Sequence, residues 1–145
     1  MPIKFENAGI AVRDIEETIA FFAGLGLTVL GRDTVRGQWA GTAVGLDGNH
    51  AKIAVLQTPD GNGCLELFEY IHPDAIEMNP ARPNEIGMHR AAFSVDDIDE
   101  ALEVAAGHGC HPLRGVATYG DVCKLTYLRG PGGIMVMFAG ELNKG

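Results

Sequence analysis

The sequence predicts an α+β protein built as two tandem βαβββ modules. Three observations carry that prediction. First, residues 7–31 and 90–114 align without a gap at a spacing of 83, with nine of 25 positions identical, among them Asp14/Asp97, Ile15/Ile98, Glu17/Glu100 and Gly26/Gly109. Second, each copy opens with period-2 alternation and then shifts to helical spacing. Third, several short β-rich runs separated by Gly and Asp turns follow each helical stretch. A repeat of this size implies two copies of one supersecondary unit around a shared cavity.

The elements follow in order. Ala8, Ile10 and Val12 alternate with Asn7, Gly9 and Ala11, and Ala91, Phe93 and Val95 alternate with Arg90, Ala92 and Ser94. In each strand the large apolar set belongs against a helix. Asp14 with Glu17, and Asp97 with Glu100, have capping-box spacing, with Asp in place of Ser or Thr. Ile15, Ile19 and Phe22, and then Ile98, Leu102 and Ala105, mark the buried helix faces. Gly24 and Gly107 are expected to stop the helices in left-handed C-caps. Further β signals lie roughly at 28–33, 39–46, 51–57 and 63–70 in the first half. In the second they lie at 111–116, 123–128 and 134–138, with Gly130-Pro131-Gly132-Gly133 as the last turn. Pro73, Pro80 and Pro83 mark a linker. The expected organisation is therefore a single domain over 1–145, with module 1 at 1–71, linker 72–85 and module 2 at 86–141.

Composition bounds the function. A hydrophobic content of 46% with 21% charged residues suits a globular chain rather than a disordered one. The net charge of −8 disfavours nucleic acid, which calls for clustered Lys and Arg, and would suit a cationic ligand if it is more than a solvated surface. No apolar run reaches the roughly 18 residues of a membrane span. MPIKFEN has no signal-peptide core, and three widely spaced cysteines read as reduced thiols, so a cytoplasmic location is expected.

Four segments, GIAVRDIEETIAFF, CLELFEY, AAFSVDDIDEAL and YLRGPGGIMVMF, together resemble the vicinal-oxygen-chelate superfamily, which includes glyoxalase, bleomycin-resistance and dioxygenase proteins. The resemblance spans nearly the whole chain. It implies curved mixed sheets around a cleft, the glyoxalase/bleomycin-resistance-like fold, commonly in a homodimer. It also implies four cleft positions that bind a divalent cation in metal-dependent members. Carried over by motif, those positions hold Asn7, Glu66, Arg90 and Met137. Only Glu66 keeps a metal-ligand identity. Arg90 presents donors alone, Met137 is a soft neutral thioether, and Asn7 is a weak carbonyl ligand. The expectation is no metal and no cofactor.

His89 adjoins one of these positions, but strand alternation assigns it to the helix side with Ala91 and Phe93. His50, His72, His108 and His111 read as surface residues. Small residues beside unmatched polar groups suggest a pocket. Phe68, Trp39, Tyr119 and Lys124 join Asn7 and Met137 as expected substrate-binding residues. Trp39 would be core or wall, and Tyr119 a turn residue able to close over a ligand. Lys124 and Tyr127 lie on opposite faces of one strand, so only one can face the cleft.

Glu66 and Arg90 are the expected catalytic pair. Two readings stay open: a buried ion pair replacing the metal, or a general base beside a cation that stabilises an enolate. On the second reading, the expected function is that of a metal-independent isomerase or lyase acting on a small carbonyl compound. The alternative is a drug- or natural-product-sequestering protein. Expected partners are a small-molecule ligand and a second copy of the chain, with no nucleic acid and no membrane.

Overall fold

A computed structural model describes residues 2–142 and divides into two compact units, Met1–Glu77 and Met78–Gly145. The first unit contains β1 (Ala8–Ala11), α1 (Ile15–Gly24), β2 (Thr28–Arg36), α2 (Gln38–Val44), β3 (His50–Gln57) and β4 (Cys64–His72). The second contains β5 (Ala91–Ser94), α3 (Ile98–Gly107), β6 (Ala117–Tyr119), β7 (Cys123–Arg129) and β8 (Met135–Glu141). Each unit forms one four-stranded mixed sheet, in the order β1-β4-β3-β2 and β5-β8-β7-β6. In each, the first strand runs parallel to the last and the other pairings are antiparallel.

The duplicated caps form twice. Asp14 accepts a hydrogen bond from the Glu17 amide, and Asp97 accepts from Asp99 and Glu100, so orphan donors of both first turns are satisfied. The C-caps differ from expectation. Gly24 and Gly107 are ordinary last helical residues; the left-handed residues are Gly26 (φ 107°) and Gly109 (φ 74°). The Gly26 and Leu27 amides donate back to Ala23 and Phe22, and Gly109 and Cys110 donate to Ala106 and Ala105. These are paired Schellman motifs, which need the glycine one residue beyond the cap.

Each helix covers one face of its own sheet. Phe21, Phe22, Ile15, Leu56 and Leu67 are fully buried in the first unit, as are Ala105, Leu128, Val136 and Phe138 in the second. Position for position, Phe22 and Leu67 become Ala105 and Phe138. Bulk moves from helix to sheet, so the interface keeps its filling while individual side chains change.

Two strand expectations are corrected. Residues 39–46 form no strand: α2 occupies this stretch. Gly37 (φ 107°) and Gly45 (φ 76°) bracket it with backbone that an extended ladder cannot use, while β2 and β3 pair directly with each other. A Cβ on Gly41 would stand 2.7 Å from the Leu46 carbonyl oxygen, so glycine permits the tight exit from α2. With this segment helical, three strands follow α1, as the βαβββ pattern requires. Residues 111–116 likewise form no strand. Pro112 makes only an isolated bridge to Leu128, and the strand begins at Ala117. Proline has no N–H for a ladder, and the segment is instead tied to β7 by Leu113 N–H donating to Tyr127 and by the Thr126 hydroxyl donating to Gly115.

Candidate functional site

Register defines equivalent addresses in the two units. In the first, Gly9 pairs with Glu66; in the second, Ala92 pairs with Met137. Gly9 and Ala92 are the same position of the repeat, so Glu66 and Met137 occupy the same position of their sheets. Asn7 and Arg90 lie two residues before those pairs, just outside the strands.

On the open face of the first sheet, Glu66 is half-buried, between Gly9 of β1 and Val55 of β3. It makes no hydrogen bond or ion pair within its unit. Phe68 follows on the same face, and its ring roofs Gly9: a Cβ there would meet Phe68 Cε2 at 3.2 Å. Phe68 therefore borders the hollow expected over Gly9, while Gly9 and Ala11 both stay exposed. Phe68 and Tyr70 stack with ring centroids 6.4 Å apart. Glu69, on the helix side, accepts a hydrogen bond from the Ile15 amide at 2.9 Å.

In the second unit the open face carries Ala92, Ser94, Met137 and Tyr127, the last two directly paired. Arg90 is exposed, with its guanidinium carbon 5.8 Å from the Tyr127 ring centroid. That distance is within reach of a cation–π contact. His89 is corrected here: it is exposed, and its ring meets Tyr127 edge-on at 5.5 Å rather than turning to the helix. Alternation holds only where the ladder holds, and β5 begins at Ala91.

Three expected wall residues are not gathered with these. Trp39 is neither core nor wall: it is 65% exposed on α2 and packs beside Gly37. Tyr119 is 69% exposed on the edge strand β6. Lys124 alternates onto the face opposite Tyr127, beside Gly140, and Tyr127 is the β7 residue that faces Arg90. Sequence reading weighed Tyr127 but did not select it; its pairing with Met137 needed the register. Asn7 is half-buried at the edge of its face.

Among the described residues no three His, Cys, Asp or Glu side chains converge. The four family positions offer an amide, a carboxylate, a guanidinium and a thioether. This donor set does not fit a divalent cation, since a guanidinium has no lone pair to give and the thioether is soft.

Paired units with the first strand parallel to the last define a glyoxalase-like fold. A family model described as the Glyoxalase/Bleomycin resistance protein/Dioxygenase superfamily matches residues 4–138, and the chain belongs to that superfamily. A crystal structure of a glyoxalase family protein from Bacillus cereus is similar, with 35% identity and a TM-score of 0.94 over 99% of this chain and 97% of that one. A fosfomycin resistance protein from Listeria monocytogenes shares the fold at 12% identity and a TM-score of 0.67, covering 97% and 95% of the two chains. A glyoxalase I variant from Zea mays does so at 18% and 0.66, covering 94% of this chain and 45% of that one. No curated protein matches the chain.

Proposed function

We propose that this chain binds a small carbonyl compound and acts on it as a metal-independent isomerase or lyase, with Glu66 as general base and Arg90 as the stabilising cation. The observation that carries this reading is the pair of equivalent addresses, one holding a carboxylate without a partner in its unit and the other lying beside an exposed guanidinium. Glu66 would take the proton alpha to the carbonyl; the C–H electron pair would become the C=C bond of an enolate as the carbonyl π pair moves onto oxygen. Arg90 would donate hydrogen bonds to the resulting enolate oxygen. In an α-hydroxy carbonyl compound, the hydroxyl proton would pass to the enolate oxygen and Glu66 would return its proton to the former carbonyl carbon, moving the carbonyl by one carbon. With a β-substituent, the enolate would re-form the carbonyl as the substituent leaves with its bonding pair and takes the proton from Glu66.

The Phe68–Tyr70 stack favours a second reading, a sequestering protein that holds a flat apolar ligand without turnover. One experiment separates the two. The protein is incubated in deuterated water with a panel of α-hydroxy and α-keto carbonyl compounds, and C–H exchange is followed by proton NMR. Exchange catalysed by the wild type and lowered about 100-fold or more in Glu66→Gln, with an unchanged melting temperature, is the expected result. Saturable binding with no exchange and no product points to sequestration.

A homodimer and a cytoplasmic location belong to the same proposal. Ile76, Met78, Ile86 and Met88 are each at least 78% exposed, an apolar set that a second copy would cover. Sedimentation at the monomer mass would remove that part. The three cysteines form no disulfide, in keeping with a reducing compartment, and no helix among the described residues is long and apolar enough to cross a membrane.

A further inference from the structure

The first unit carries a cavity of about 500 Å³ at the end of its sheet remote from Glu66, where β2, β3 and β4 meet the segment around Gly48. Its walls include Arg36, His50, His72, Asn49, Gln38 and Gly48. Arg36 pairs directly with His50, and His50 directly with His72, so three basic side chains stand in one row across three strands. A bulge sets this row: register shifts between His50 and Ala51, leaving Ile71 unpaired and bringing His72 opposite His50. A Cβ on Gly48 would lie 3.0 Å from His72 Cδ2, so the imidazole rests against bare backbone at the cavity wall.

Arg36 is a fixed cation, and each imidazole can donate a hydrogen bond, so the row presents donors on one side of the cavity. Among the described residues, Arg36, His50 and His72 make no side-chain hydrogen bond or ion pair, and no carboxylate lines the cavity in a chain with 19 Asp and Glu. Asn49, 3% exposed, lies in the wall with its Oδ1 buried and without a hydrogen-bond partner among the described residues.

We infer that this cavity is a binding site for the phosphate group of a small organic molecule. Arginine supplies a planar fork for two oxygens, and two imidazoles beside it can donate to the third. The site lies at the opposite end of β4 from Glu66 and stands whether or not Glu66 catalyses anything.

The test is a titration of the isotope-labelled full chain with inorganic phosphate, and separately with acetate, at matched ionic strength, followed by amide NMR. Saturable shifts at Gly48, Asn49, His50 and His72, with phosphate binding more tightly than acetate, are expected. Arg36→Ala should weaken phosphate about tenfold or more while the rest of the spectrum is unchanged. If Arg36→Ala fails to fold, Arg36→Gln gives the same readout. Unsaturable shifts, equal or tighter binding of acetate, or full affinity in the Arg36 variant would overturn the assignment.

Discussion

Glu69 holds the start of α1 from another element, and replacing it should cost more than a surface carboxylate. Its Oε1 accepts from the Ile15 amide at 2.9 Å, and its side chain is 24% exposed. A hydrogen bond to a charged group contributes roughly 1.5–3 kcal/mol, and a carboxylate at a helix N-terminus adds about 0.3–1 kcal/mol from the dipole. Its ion pair with Lys52 spans 3.5 Å with Lys52 half-exposed, and contributes little after solvent screening. The freed amide can recover part of the loss by meeting water, so Glu69→Ala should destabilise by about 2 kcal/mol. At this chain length that lowers the melting temperature by roughly 4–8 °C. Glu69→Gln keeps an acceptor and loses the charge, so about half that loss is expected. Lys52→Ala should cost no more than about 0.5 kcal/mol. Urea and thermal unfolding by circular dichroism measure the energies, and amide exchange at Ile15 locates them. Glu69→Ala within about 0.3 kcal/mol of wild type, or unchanged Ile15 protection, would refute the reasoning.

Glycine positions in the first helix exit make a paired prediction. Gly26→Ala, at φ 107°, should destabilise by roughly 1–2 kcal/mol, whereas Gly24→Ala, inside the helix, should be neutral or stabilising by up to about 1 kcal/mol; chemical denaturation of the two variants reads the difference, and the reverse order would exclude the Schellman reading. Asp60 gives a pH dependence. The Thr58 hydroxyl and then the Asn62 amide donate to its carboxylate and hold its pKa below the ordinary range. A depressed folded-state pKa means that the 58–63 turn is supported above the ordinary carboxylate range, and that this support is lost as pH falls through the lower folded value. The Asn62 amide resonance should therefore titrate with a midpoint below that of an unfolded Asp, and a midpoint at or above it would remove the interaction.

Legibility in the sequence followed locality. The caps at Asp14 and Asp97 and the alternation of β1 and β5 are set by residues within one turn or one strand, and they could be read directly. Whether 39–46 is strand or helix depends on which strands neighbour each other, because β2 and β3 leave no slot between them, and periodicity carries no such information. Glu66 and Met137 were legible as last-strand positions only through the family motifs. Tyr127 beside Arg90, and the row of Arg36, His50 and His72, were not. Cross-strand partners far apart in sequence make both, and the second also needs a bulge at Ile71 that no local signal announces.

The matched register of Glu66 and Met137 has a practical consequence for experiments on this chain. One backbone address accepts a carboxylate in one sheet and a thioether in the other, with the ladder on either side intact. The same address therefore carries different chemistry in each sheet, so Glu66→Gln and Met137→Leu compare that chemistry one sheet at a time once each variant's melting temperature matches the wild type.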